Sequence, residues 1–242
     1  MRTLLPDWPA PARVRALSTT RLGGVSAGPY RALNLGDHVG DDPQQVRINR
    51  ERLQRDAGVP TEPCWLQQVH GIDVVDAADA EPGSRADGSF TTERNKVCVV
   101  LTADCLPILL CDRRGTTVAA LHAGWRGLAA GIVEAGIARL GVPGASLLAW
   151  LGPAIGPTAF EVGDDVRDAF VGADAGVADA FTANPRGRWR ADLYRLARRR
   201  LERHGVGAIY GGGYCTHTQA DLFYSYRRDG ATGRMASLIW LD

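Results

Sequence analysis

Five histidines and five cysteines are the strongest metal donors in this 242-residue chain, and three of them share one setting. His70 closes the run WLQQVH, His122 closes VAALH, and Cys105 follows CVVLTAD. Each ends an apolar stretch and meets a turn, which places an imidazole or thiol at the mouth of a core. Three such ends converge if the strands that carry them are neighbours. Two imidazoles and one thiolate form a set that zinc takes in catalytic sites, with the fourth position left for water or substrate. Asp104, beside Cys105, is then the candidate supporting carboxylate.

The same residues admit other chemistry. A buried cysteine and two satisfied core histidines would leave the same pattern, since the spacing matches no compact zinc motif. Cys105 activated by His122 would be the nucleophile of a thiol hydrolase or transferase, and that role competes with a metal for one sulfur. Copper is disfavoured. The only methionines are Met1 and Met235, and five histidines are too few for a cluster of several coppers. His204 belongs to a basic helix end, RRRLERHG, where a cation is favourable. His38, in LGDHVGDD, is expected on the surface.

An anion site is the second candidate. HAGWRG puts Arg126 in the first turn of a helix just after His122, where backbone N–H groups and a guanidinium attract a phosphate or carboxylate. TRLGGVS repeats the ingredients around Arg21, and SYRRDGATGRMAS repeats them around Arg234. Neither the phosphate-loop nor the dinucleotide glycine motif is present, and the zinc deaminase signature is absent as well.

The elements that must hold these residues are legible in part. KVCVVLTADC, PILLCD and TTVAALHAG read as buried strands, as do SLLAWLGPAIG, AIYGGGYCT and MASLIWLD. A helix follows Asp42 as N-cap with Pro43 in its first position, and Gly58 stops it. WRGLAAGIVEAGIARLG reads as one helix ending at Gly141, with further helices near 163–172 and 191–204. CWLQQVHGIDVVDA reads as two short strands around Gly71, and AEPGSRADGSFT as a surface loop. Strands come singly and in groups, so an alternating parallel sheet fits poorly. The expectation is α+β, one domain over 1–242.

Composition narrows the partners. With 28 basic and 27 acidic residues the net charge is +1, which gives no reason to expect nucleic acid. No stretch reaches the roughly 20 apolar residues of a membrane span. The first residues lack the apolar core of a signal peptide. An odd number of cysteines with no CxxC pair points to a reduced, cytoplasmic setting.

QQVHG (67–71), TADCLPILLCD (102–112), LHAGWRG (121–127), GPAIGPTAFEVG (152–163) and FYSYRRDGATGRMASLIWL (223–241) resemble the YfiH-like family in order and over nearly the whole chain. STTRLGG and LNLGDHVGDD fit it as well. Members have been called laccase-domain or polyphenol oxidase proteins and, more recently, purine nucleoside phosphorylases. The resemblance implies mixed β-sheets packed as a sandwich with helices outside, related to cysteine-hydrolase-like toxin domains. It implies zinc held by His70, Cys105 and His122, with Asp104 as the cysteine's supporting neighbour; Cys105, His122 and Asp104 are the expected catalytic residues. It implies phosphorolysis of inosine, guanosine, adenosine and methylthioadenosine, and deamination of adenosine. The expected partners are therefore a nucleoside and phosphate, with Arg126, Arg21 and Arg234 as the phosphate candidates. Bacterial members are also linked to peptidoglycan-precursor fidelity, so a binding protein for such a precursor is the non-enzymatic alternative.

Overall fold

The computed structural model describes residues 1–242. In chain order its elements are β1 (Thr3–Leu4), β2 (Val14–Thr19), α1 (Pro43–Ala57), β3 (Val74–Asp76), β4 (Gly88–Thr91), β5 (Val97–Thr102), β6 (Leu106–Asp112) and β7 (Val118–Ala123). There follow α2 (Trp125–Ala130), α3 (Ile132–Leu140), β8 (Leu147–Leu151), β9 (Glu161–Val162), α4 (Asp164–Val171), β10 (Phe181–Ala183) and β11 (Trp189–Ala191). The chain closes with α5 (Leu193–Arg203), β12 (Ala208–Gly211), α6 (Tyr226–Asp229) and β13 (Met235–Leu241).

The central strands are apolar on both faces because both faces are covered. In β6, Leu106, Ile108 and Leu110 join one core with residues of α2, α3 and α5, while Leu109 and Cys111 join another with Cys98 and Val100 of β5 and Ile239 of β13. In β5, Val97, Val99 and Leu101 turn to a third core with Leu53 of α1. This strict alternation, the two-residue period of a strand, stacks four layers: helices, a six-stranded sheet, a four-stranded sheet, and α1. The six strands run β12-β8-β6-β7-β4-β3, the four run β1-β2-β13-β5, and β10-β11-β9 form a small third sheet. The larger sheet is mixed: β3 pairs with β4 and β12 with β8 in parallel, the rest antiparallel. The expected α+β sandwich flanked by helices is the fold observed.

Three local expectations change. WRGLAAGIVEAGIARLG is two helices, because Gly131 adopts φ 114° between α2 and α3, outside the helical region. Of the two strands expected around Gly71, only β3 forms; residues 64–70 make a single bridge, Gln67 to Arg85. The polar stretch expected as a surface loop ends in β4, which inserts between β7 and β3 with Asp87, Ser89 and Thr91 buried. α1 begins as expected, with the Asp42 carboxylate accepting from the Gln44 N–H. No helix is long and apolar enough to cross a membrane.

Candidate metal centre

The β6–β7 register builds half the site. Pro107 pairs with His122 and Leu106 with Ala123, so Cys105, one residue before β6, stands opposite Gly124. Gly124 is there because nothing larger fits: a Cβ on it would lie 2.9 Å from His70 Cδ2 and 3.0 Å from Cys105 Sγ. His70 comes from the loop before β3 and brings its ring to 4.8 Å from that of His122, edge to face. The donor atoms of His70, Cys105 and His122 all lie within 4.8 Å of one another, with Cys105 Sγ 3.9 Å from His70 Nε2. His122 is buried, Cys105 half-buried and His70 exposed, so the cluster opens to solvent on one side.

Two of the few non-glycine residues with left-handed backbones flank this cluster: His70 at φ 61° and Asp104 at φ 91°. Residues held in that region mark sites where surrounding structure overrides local preference.

The carboxylate that reaches the cluster is Asp87, which sequence reasoning missed. It is fully buried, and its Oδ1 accepts from His122 Nδ1 at 2.8 Å. That bond leaves the Nε2 lone pair of His122 for the cluster, the arrangement a metal-bound histidine needs. Asp104, the expected support, turns elsewhere: its carboxylate accepts from Thr216 Oγ1 at 2.6 Å and from the Arg227 N–H at 2.7 Å. Its position fixes the turn that carries Cys105 to the segments at 216 and 227. No local signal separates Asp87 from an ordinary turn aspartate; only the pairing of β4 with β7 puts it beside His122.

The electrostatics agree with a donor site. Burial pushes the Cys105 thiol up, but the imidazoles of His122 and His70 outweigh it and hold the thiol at about 6. Burial lowers His122, yet the Cys105 sulfur and the Asp87 carboxylate raise it to about 9. Burial raises Asp87, and the hydrogen bonds from His122 and from the Gly71 and Val69 N–H groups bring it below the usual range. A lowered thiol beside two imidazoles is a donor set of the kind zinc takes, so the residues fit a zinc-type ion.

A cavity of about 380 Å³ opens on the cluster, lined also by His38, Gln68, Thr102, Tyr226 and Arg234. His38, expected on the surface, is exposed but lines this cavity and a neighbouring one of about 540 Å³. Of the three candidate arginines, only Arg234 lines the cavity at the cluster. Its Nη1 donates to the Thr232 and Gly233 carbonyls. Arg21 spends its guanidinium on the Arg31 and Ala220 carbonyls and stacks 4.7 Å over Tyr224. Arg126 is exposed and lies 4.6 Å over the Trp125 ring, away from the lining.

Fold and site together define a class: a four-layer α+β sandwich with one His-Cys-His donor cluster at the mouth of its larger sheet. A family model described as multi-copper polyphenol oxidoreductase laccase matches residues 15–242. A Pseudomonas aeruginosa protein named purine nucleoside phosphorylase is 60% identical over 99% of this chain and 98% of its own. Escherichia coli purine nucleoside phosphorylase YfiH is 52% identical over 99% of each chain. A Neisseria meningitidis crystal structure superposes with a TM-score of 0.96 at 55% identity, covering 100% of both chains. A Bacillus licheniformis YfiH structure follows at 0.91 and 32% identity, over 99% of this chain and 96% of that one. The chain belongs to this laccase-type family, the family of YfiH.

Proposed function

We propose that this chain is a zinc-dependent purine nucleoside phosphorylase that cleaves inosine, guanosine, adenosine and methylthioadenosine and also deaminates adenosine. The observation that carries the reading is the His70-Cys105-His122 cluster at the floor of a cavity whose wall holds Arg234. Full-length relatives named purine nucleoside phosphorylase at 60% and 52% identity support it. One group of three such donors suits a single ion, which favours zinc over a set of coppers.

Phosphorolysis joins a phosphate oxygen to the ribose anomeric carbon while the bond to the purine nitrogen breaks, its electron pair leaving with the base. The site must hold an anion against an electron-poor sugar and keep both in line. Arg234 takes the phosphate: Nε and Nη2 remain for it once Nη1 is committed to the two carbonyls. Tyr226, at the rim, offers its ring to the flat base. Asp87 keeps His122 in one tautomer, and Asp104 holds the 227 segment, and so α6, in place. Zinc, when bound, supplies a Lewis acid and lowers the pKa of water to about 7.

Release of hypoxanthine from inosine by metal-analysed protein, with and without phosphate, tests this. Release that needs phosphate and disappears in Cys105→Ala is expected; release independent of phosphate refutes the phosphorylase assignment. One observation favours a second reading. Cys105, His122 and Asp87 also form a nucleophile, base and orienting acid in sequence. Under that reading iodoacetamide inactivates the zinc-loaded protein as fast as the metal-free one; under the first, zinc protects Cys105.

A further inference from the structure

We propose that the Asp87 carboxylate positions both histidines of the cluster at once, so that His70 and His122 enter the metal site as a coupled pair. The proposal rests on the metal reading above and extends the role of Asp87 from the His122 ring to the loop that carries His70.

Four donors converge on this one side chain. Oδ1 accepts from His122 Nδ1 at 2.8 Å and from the His70 backbone N–H at 2.9 Å. Oδ2 accepts from the Gly71 N–H at 2.7 Å and the Val69 N–H at 3.1 Å. A carboxylate has about four lone-pair directions, so its capacity is filled. The backbone of Asp87 adds to the grip: its carbonyl accepts from the His122 N–H at 2.7 Å, and its own N–H donates to Asp73 at 2.9 Å.

The reach into the 69–71 loop is what makes this more than the usual support of one histidine. Three consecutive backbone N–H groups have the Asp87 carboxylate as their partner. Packing holds the loop weakly, since Val69 and Ile72 are 39% and 42% exposed and His70 is exposed too. His70 meanwhile needs the left-handed backbone at φ 61° to face the cluster. A non-glycine residue stays in that region only when its surroundings insist, and here the insistence comes through Asp87. Oδ1 is the shared atom: it touches the ring of one ligand and the backbone of the other.

The arrangement makes Asp87→Asn informative, because the amide keeps the shape but not the acceptors. Each carboxylate oxygen takes two donors, so whichever way the amide turns, its NH2 faces a donor pair. Turned one way, the His122 ring and the His70 N–H lose their acceptor; turned the other, the Val69 and Gly71 N–H groups lose theirs.

The test is a zinc titration against a competing chelator on wild type and Asp87→Asn, repeated in His70→Ala and His122→Ala backgrounds. Asp87→Asn is expected to weaken zinc by about 10–100-fold, and to weaken it further in each single-histidine background. Unchanged affinity overturns the proposal, and so does a loss confined to one background, which reduces Asp87 to the support of one ligand. A wild-type protein that takes up no zinc refutes the metal reading itself. The grip is also measurable in metal-free wild type, without any variant. Amide exchange at residues 69, 70 and 71 is expected to be slow, with the His122 Nδ1 proton held in its hydrogen bond to Asp87 and visible by NMR. Exchange of those three amides at the rate of an unstructured chain overturns the proposal even if Asp87→Asn does not fold.

Discussion

At the scale of single residues, the site separates side chains that look alike in the sequence. Arg21, Arg126 and Arg234 each sit among glycines, yet their guanidiniums have different work. Arg21 closes two backbone carbonyls and covers Tyr224, so it holds the N-terminal loop to the segment near 220. Arg234 alone stands at the cluster, and burial lowers its pKa while the Cys105 and Asp104 charges raise it. A charge-assisted hydrogen bond contributes about 1.5–3 kcal/mol. Arg234→Ala is therefore expected to raise the KM for phosphate roughly 10–100-fold, that energy converted at 1.4 kcal/mol per tenfold, with zinc content unchanged. Arg126→Ala is expected to leave it within about twofold, since an exposed arginine outside the cavity contributes little. Arg21→Ala should instead cost about 1–3 kcal/mol of stability, from carbonyls left without donors, and appear in urea unfolding rather than in KM. An Arg234→Ala enzyme with an unaltered phosphate KM removes that residue from the anion site.

At the scale of elements, much was legible and the failures have physical causes. β5, β6, β7, β8 and β13 are buried on both faces, so their apolar runs stand out against the turns. β4 does not, because Gly88, Ser89 and Thr91 are small or polar and are buried by their neighbours rather than by their own hydrophobicity. Asp87 disappears with it: SRADGSFT has the composition of a turn, and the donors that define the aspartate lie 16 to 35 residues away. His70, Cys105 and His122 were legible because each marks the end of an apolar run. The split between α2 and α3 was not, since an isolated glycine within a helical pattern is often tolerated. At φ 114° Gly131 is required there, and space is not the obstacle: the nearest atom to an added Cβ is the Glu134 carboxylate at 3.5 Å. Gly131→Ala should cost about 1–2 kcal/mol, the penalty of a left-handed non-glycine residue, and calorimetry that finds no loss would mean the two helices merge. The β6–β7 turn supplies a pH-dependent counterpart. Asp112 accepts from the Thr116 N–H at 2.5 Å, Thr116 Oγ1 at 2.8 Å and the Thr117 N–H at 3.1 Å. Burial raises its pKa, but these bonds outweigh burial and lower it below the ordinary value. A group with a depressed folded pKa stabilises fully above its unfolded value, about 3.9, and loses that contribution as the pH falls towards the folded one. Asp112→Ala should therefore cost about 1–3 kcal/mol at pH 7 and progressively less below about pH 4. A difference from wild type that is flat across that window would contradict the assignment.

At the scale of the whole molecule, the donor set is a cross-brace at one end of two sheets that already share a core of Leu109, Cys111, Cys98, Val100 and Ile239. His122 belongs to β7 in the middle of the six-stranded sheet, flanked by β6 and β4. Cys105 immediately precedes β6 after the crossing from β5, so it sits where the four-stranded sheet passes to the six-stranded one. His70 lies on the loop ahead of β3, the edge strand of the larger sheet. Neighbouring residues of that segment reach the smaller sheet: Gln68 exchanges hydrogen bonds of 2.8 and 2.7 Å with the Leu101 backbone in β5. An ion held by these three side chains closes loops of 35 and 17 residues in the folded state alone, because the unfolded chain has no preformed site. Ligand linkage then sets the size of the effect, about 2.7 kcal/mol at free zinc 100-fold above Kd. At roughly 2–4 °C per kcal/mol for a chain of this length, chelation should lower the Tm by about 5–10 °C. Cys105→Ala should start from a lower Tm and show little further change with chelator, since its donor set is broken. If chelation instead leaves the wild-type Tm unmoved while metal analysis shows that the ion has gone, the cluster does not brace the sheets, and its contribution is confined to the chemistry of the cavity.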